Sequence, residues 1–393
     1  MDFPERFSTL PEYAFPRLRA LLDSHAPGGA PLAMSIGEPQ HAFPSFVSEA
    51  LAEAMPLFNK YPPNEGAPDL LAAIGDWVAG RYGVTVDPAT QILALNGTRE
   101  GLFAACLALC PDRKAGGTPR VAMPNPFYQV YAVGAKAAGA EPLFVNATRE
   151  TGFLPDFTAL SEAELDQTAI AYVCSPSNPQ GAVADADYWR ALLTLAEKHD
   201  FYVFADECYS EVYRDTPPPG ALQIATEMGV DPDRVVIFHS LSKRSNLPGL
   251  RSGFAAAGPR AMAELKKLRA YAGAPLPGPL QAVAAKVWRD EAHVIENRAL
   301  YAAKFDRADA VFGDLPDYVS PPAGFFLWLP VPDGEAAALK LWTETGLRVL
   351  PGAYLSRDTD RGNPGKGFIR AALVAPPEDV DRGLLHIRDC LYS

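Results

Sequence analysis

The sequence predicts an α/β fold, a largely parallel sheet covered by helices on both faces, from three observations. Between about residues 90 and 260, short apolar, β-branched or aromatic runs recur. Stretches with helical apolar spacing lie between several of them. The runs are continuously apolar rather than alternating, as expected of strands buried on both faces.

Along the chain, the N-terminal arm (about residues 1–40) holds too little apolar sequence to fold alone. It is expected to pack on the C-terminal part or on a partner subunit. Stretches 45–58 and 69–82 read as helices. Strand-like runs follow at 91–95, 120–123, 142–145, 170–174, 201–205 and 235–239, with helices at 98–109, 128–138 and 186–199. In the last helix Trp189, Leu192, Leu193 and Ala196 recur at helical spacing. A long helix at 292–312 opens a different pattern. It continues as strand 325–329, helix 335–344, strand 348–350 and strand 367–374. This tail reads as a separate α+β unit. The expected division is an arm and part of a small domain (1–40), a large domain (41–285) and a small C-terminal domain (286–393). Pro-rich 216–220 and stretch 356–367 read as exposed loops.

Composition narrows the function. With 393 residues and 48% hydrophobic content the chain can bury large cores. Its 35 basic and 47 acidic residues leave a net charge of −12, which argues against neutralising nucleic-acid phosphates. No polybasic run points to a membrane surface. The longest apolar-rich run, near 102–110, is too short to span a bilayer. Five cysteines without CxxC spacing argue against a disulfide framework or a zinc site, and the scattered histidines against a metal. The opening residues do not read as a signal peptide. A cytoplasmic location is expected.

Four segments carry chemistry. Run 201–205 ends in Asp206, followed by Glu207, Cys208 and Tyr209. Ligands in open α/β sheets bind beyond the carboxyl ends of strands, and a buried carboxylate there needs a cation. A protonated pyridine nitrogen would serve; a helix N-cap or a structural salt bridge reads equally well in isolation. Run 235–239 leads into Ser240-Leu241-Ser242-Lys243. A lysine there can form an imine with an aldehyde cofactor if desolvation lowers its pKa. Ser240, Ser242 and Arg251 could bind a phosphate; alone, Lys243 is an ordinary loop lysine. Asn96-Gly97-Thr98-Arg99 opens an apolar helix whose amides attract anions, or Thr98 is merely an N-cap. Asn178, between prolines after run 170–174, is a turn residue or a donor to a phenolate oxygen.

Together these segments resemble a class I aminotransferase of fold type I. The resemblance spans nearly the whole chain. It includes Ser35-Ile36-Gly37-Glu38-Pro39, Tyr61 through Gly66, the Ser177-Asn178-Pro179 turn, Asp206 with Tyr209, Ser240 through Arg251, Pro322 through Trp328, and Arg370. It implies a mainly parallel, seven-stranded-type sheet and a pyridoxal 5'-phosphate cofactor. Lys243 would then carry the cofactor as a Schiff base and shuttle the proton. Asp206 would pair with the pyridinium nitrogen, and Tyr209 and Asn178 would bond the phenolate oxygen. Gly97, Thr98, Arg99, Ser240, Ser242 and Arg251 would hold the phosphate, and Tyr128 would stack on the ring. Tyr61 would reach the phosphate of a partner subunit, implying a homodimer with shared sites. Arg370 would clamp the substrate carboxylate, with Gly37 nearby. Gly37 through His41, Asp206 through Glu211, Ser242 through Gly253 and Glu296 through Tyr301 further resemble proteobacterial succinyldiaminopimelate aminotransferases; Ala270 through Pro277 departs from them by lacking a Tyr-His-Gly start. That likeness implies N-succinyl-L,L-2,6-diaminopimelate and 2-oxoglutarate as substrates, in lysine biosynthesis. Arg17, Arg99 and Arg244 are candidates for the distal carboxylate. The alternatives are aspartate, alanine or aromatic amino acids as substrates, a β-lyase or decarboxylase using the same cofactor, or a non-catalytic regulator built on the same fold. The last would need an added DNA-binding domain, for which the stretch before residue 35 has no room.

Overall fold

The computed structural model describes residues 5–8, 10 and 12–393. Its main sheet has seven strands: β1 (Ile92–Leu95), β2 (Arg120–Asn125), β3 (Glu141–Asn146), β4 (Thr168–Cys174), β5 (Tyr202–Asp206), β6 (Val235–Ser240) and β7 (Gly253–Ala256). The spatial order is β1-β7-β6-β5-β4-β2-β3. Every pairing is parallel except those of β7, which runs antiparallel to both β1 and β6. Strand β7 was not expected. It has four small or apolar residues, too few to show a period.

The continuous apolar runs have a direct cause. Val203 and Ala205 face one core and Phe204 the opposite one; Val235 and Ile237 alternate likewise with Val236 and Phe238. Helices cover both faces, so neither parity of the strand can be polar. Helices Ala221–Met228, Pro259–Arg269 and Gly278–Arg289, packed in these cores, went unread in the sequence, as did the C-terminal Pro377–Leu391, which packs in the second unit.

A second unit is built from both ends of the chain. Strands β8 (Phe326–Pro330), β9 (Leu350–Pro351) and β10 (Phe368–Ala372) form an antiparallel sheet in the order β9-β10-β8. Leu32–Ala33 pairs in parallel with Leu347–Arg348. Leu32 and Met34 share a core with Phe305, Leu327, Ile369 and Leu384. The arm packs on the C-terminal part, as expected: Ala14, Leu18 and Leu22 of helix Ala14–Leu22 rest on Trp342, Leu350 and Tyr354.

Several expectations need correction. Gln91 ends a short helix rather than starting a strand. Helix 45–58 is α-helical only over Val47–Ala54 and tightens to a 3-10 turn at Met55–Asn59, where Pro56 removes a backbone donor. The strand expected at 348–350 is interrupted at Val349. Loop 356–367 is not wholly exposed, because Ser356 is buried and accounts for hydrogen bonds to the Gly352 carbonyl and Asn363. In loop 216–220, Pro218 and Gly220 are buried, the latter against the Tyr82 ring.

Candidate active site

The carboxyl ends of β1, β2, β4, β5 and β6, and the start of antiparallel β7, open onto one cavity of about 390 Å³. This is where an open α/β sheet places its ligands. Gly37, Thr98, Arg99, Tyr128, Asn178, Asp206, Tyr209, Ser240, Ser242, Lys243, Arg251 and Arg370 all line it. Loops far apart in sequence thus bring nearly every expected site residue together.

Asp206 is the last residue of β5 and is 5% exposed. One carboxylate oxygen accepts from the Tyr131 hydroxyl at 2.7 Å, and the other from the Cys208 amide at 3.4 Å. Burial raises its pKa, and the bond from Tyr131 opposes that rise. No lysine or arginine pairs with it among the described residues. A buried carboxylate in this state favours a cationic partner from outside the chain. Tyr131, stacked on Tyr172 at 4.4 Å, was not foreseen. An aromatic at helical spacing reads as core, and Tyr131 is also core.

Lys243 follows β6 in the short helix Leu241–Arg244. Its Nζ donates to the Gly37 carbonyl at 2.5 Å and lies 5.3 Å from the centre of the Phe325 ring. Burial brings its pKa down to about 8, and the Arg370 charge acts in the same direction. An amine tuned this way loses its proton readily near neutral pH. The shift also bears on stability. Between pH 8 and 10.5 the unfolded chain holds a proton here that the folded chain does not. Stability from this group therefore rises with pH across that window, and at lower pH the fold carries the cost of a buried ammonium. Lys243→Met is expected to stabilise the cofactor-free protein at pH 7 by roughly 1–3 kcal/mol, net of the lost bond to Gly37. Urea midpoints measure it, and an unchanged or lower midpoint would contradict the burial-driven shift.

A cup for an anion lies beside them. Thr98 begins an apolar helix, Thr98–Leu109, behind Gly97 at φ +79°. A Cβ on Gly97 would collide with the Arg251 guanidinium, so glycine is required for the approach. Arg251 donates to the carbonyls of Pro248 at 2.9 Å and Asn96 at 3.3 Å, and pairs with no carboxylate among the described residues. The Ser240 hydroxyl donates to Ser242 Oγ at 2.9 Å. Helix amides, hydroxyls and a guanidinium gathered in this way suit an anionic group such as a phosphate.

Arg370 lies on β10, opposite Trp328 of β8, and is 4% exposed. It donates to Asn178 Oδ1 at 2.8 Å and to the Ser35 carbonyl at 2.7 Å, and stacks 4.3 Å from the centre of the Phe326 ring. Its Nε has no hydrogen-bond partner among the described residues. Burial lowers its pKa to about 10. Without a carboxylate among the described residues, it is a cation prepared for an anionic ligand. Since Asn178 receives Arg370 on its oxygen, its amide NH₂ is left for another acceptor.

The remaining expectations divide. Arg99 lines the cavity and donates Nε to the Tyr128 hydroxyl at 2.7 Å. Arg244 does not line it. It is buried between Trp77 and Trp288, with an ion pair to Glu291 and a bond to the Val287 carbonyl at 3.1 Å. Arg17 is committed to Glu335 at 2.8 Å and lies outside the cavity wall. Tyr61 is fully exposed and touches no part of this cavity. Tyr13 and Phe15 also line the cavity and carried no sequence signal, coming from an arm segment without a motif of its own; Glu38 lines it too, within the quoted stretch 35–39 but with no role assigned there.

This fold and this cavity define a pyridoxal-phosphate enzyme, and the chain belongs to the class I and II aminotransferase family, whose model matches residues 31–387. The fit to the cofactor is chemical: a buried carboxylate for a ring cation, a lysine for an aldehyde, and a cradle for a phosphate. More particularly, the chain is 32% identical over 396 residues to an LL-diaminopimelate aminotransferase of Dehalococcoides mccartyi, covering 98% of this chain and 97% of the relative. The structure is similar to that of an aminotransferase from Neisseria meningitidis, with TM-score 0.94 and 37% identity, covering 98% and 99% of the two chains. A Thermus thermophilus protein described as a "probable N-succinyldiaminopimelate aminotransferase" matches at TM-score 0.82 and 26% identity, covering 96% and 98%. Among the described residues no helix is long and apolar enough to cross a membrane.

Proposed function

We propose that this aminotransferase moves the amino group of N-succinyl-L,L-2,6-diaminopimelate to 2-oxoglutarate. The observation that carries the reading is that, besides Arg251 at the phosphate cradle, two further guanidinium groups face one cavity: buried Arg370, and Arg99, which is bonded through Nε to Tyr128. Both substrates carry a carboxylate at each end. Arg370, backed by the Gly37 loop, takes the one beside the reacting carbon, and Arg99 takes the far one. The likeness to the Thermus protein supports the succinylated substrate.

In this reading the bound cofactor supplies the electron-withdrawing ring that makes the substrate α-hydrogen acidic. The chain's residues do the rest. Asp206, held by the Tyr131 hydroxyl, would keep the ring nitrogen of a bound cofactor protonated. Tyr209 and the Asn178 amide, which line the same cavity, would donate to the ring's oxygen, and Tyr128 would stack on the ring. The helix start at Thr98, with Ser240, Ser242 and Arg251, would anchor the phosphate end. Nζ of Lys243 would hold the cofactor's aldehyde and, when free, would take the substrate α-proton and return it.

A second reading has its own support. Glu38 also faces the cavity, and an unsuccinylated substrate would present a distal ammonium to it. The Dehalococcoides relative is an LL-diaminopimelate enzyme. One panel separates these: turnover of N-succinyl-L,L-diaminopimelate, L,L-diaminopimelate, aspartate, alanine and phenylalanine with 2-oxoglutarate. The proposal expects the succinylated compound to lead in kcat/KM by about tenfold or more, the worth of one charge-assisted contact. A lead by free diaminopimelate would move the assignment to the second reading, and a lead by any of the others would overturn both.

We further propose a homodimer with shared sites. Exposed Phe43, Met55, Phe58, Tyr61 and Tyr271 support it as an apolar surface that a second copy would cover. Tyr61 would then meet the partner's phosphate cradle. Separate cores support reading 41–285 as one domain and 286–393 with the arm as another. The free cysteines support a cytoplasmic location.

A further inference from the structure

We propose that Asn297, His41 and Lys304 are positioning residues that lock the Gly37 loop to the backbone of Lys243 through a one-directional hydrogen-bond chain. The proposal rests on Lys243 being the cofactor lysine.

Helix Ala292–Phe312 turns Asn297, Tyr301 and Lys304 to its buried side. Lys304 is 3% exposed and makes no ion pair among the described residues. Its Nζ lies 2.7 Å from His41 Nε2 and 2.6 Å from the Ala375 carbonyl. An ammonium only donates, so Nε2 of His41 accepts. The neutral ring then carries its proton on Nδ1, which lies 3.0 Å from Asn297 Oδ1. That oxygen also accepts from Asn246 at 2.9 Å. The Asn297 amide NH₂ is thereby turned to the carbonyls of Lys243, at 3.2 Å, and Arg244, at 3.3 Å. Each link fixes the polarity of the next.

His41 is four residues beyond Gly37, whose carbonyl accepts from Lys243 Nζ. The set therefore holds Lys243 by its backbone and, through the loop, by the carbonyl its amine meets. Tyr301 completes the support: its ring lies 4.6 Å from His41 and 5.3 Å from Phe325, the ring beneath the amine. Burial lowers the pKa of His41, with the Lys304 charge acting the same way, which keeps the ring neutral. A purely structural core would be served better by methionine than by a buried, unpaired ammonium. What the ammonium adds is a fixed histidine tautomer.

The test uses ¹⁵N-histidine-labelled full-length protein, first without cofactor. His41 is expected in the Nδ1–H neutral form, and Lys304→Met is expected to shift it toward Nε2–H without lowering the melting temperature. In the loaded enzyme, Lys304→Met and His41→Leu are each expected to lower kcat about tenfold, with KM changed less than about twofold. His41→Asn, whose amide can still donate to Asn297, is expected to recover most of kcat. A wild-type Nε2–H tautomer, or equal rates for His41→Leu and His41→Asn, would overturn the proposal. If Lys243→Ala keeps the cofactor's visible band, the cofactor assignment has failed; if that variant loses the band while the His41 pair behaves alike, only this proposal has.

Discussion

Lys243→Ala is expected to lower turnover about 10,000-fold while leaving the protein folded and able to bind pyridoxal phosphate noncovalently. The magnitude is that of removing a positioned general base that is also the covalent anchor. Folding should survive, because the substitution removes a buried amine whose pKa burial has already brought down to about 8. The phosphate cradle of Thr98, Ser240, Ser242 and Arg251 is untouched. The visible band of the lysine-bound cofactor should vanish, and added methylamine should restore a measurable rate. A variant that keeps both band and turnover would assign the chemistry to another lysine.

Arg370→Ala is expected to lower kcat/KM for every amino acid and keto acid by roughly 100- to 10,000-fold, the worth of two charge-assisted hydrogen bonds to a carboxylate. Cofactor affinity should change far less, since Arg370 reaches Asn178 and Ser35 rather than the cradle. Arg370→Lys should recover little, because an ammonium cannot reproduce the two-pronged contact. Steady-state kinetics set beside a cofactor titration measure both effects. Equal losses of substrate use and cofactor binding would contradict the clamp.

Much of this architecture is legible in the sequence, for identifiable reasons. Strands β2, β4, β5 and β6 are buried on both faces, so their apolar runs stand out. Asp206, Ser240 and Lys243 interrupt such runs at strand ends, where a polar residue is conspicuous. Strand β7 is hidden because Gly253, Ala255 and Ala256 carry almost no pattern. Tyr131 and Lys304 are hidden for the opposite reason, and Asn297 stands in the quoted stretch 296–301 without a sign of its role: their spacing is that of an ordinary buried helix face, and only the fold reveals that hydroxyl, ammonium and amide have partners there. Arg244 misleads because it adjoins Lys243, yet one step along a short helix turns its side chain into the core against Trp77 and Trp288. The role the resemblance gives Tyr61 has no counterpart within one chain, where its side chain is exposed; it would need the second copy of the proposed dimer.

The central claim is one covalent linkage at Nζ of Lys243, in the cavity that Asp206 closes. Borohydride reduction of the loaded enzyme, followed by proteolysis and mass spectrometry, tests it most directly. The expected result is a single phosphopyridoxyl group on the peptide containing Lys243. The group on Lys304 or any other lysine, or no modified peptide from an enzyme that shows the visible band, would contradict the account.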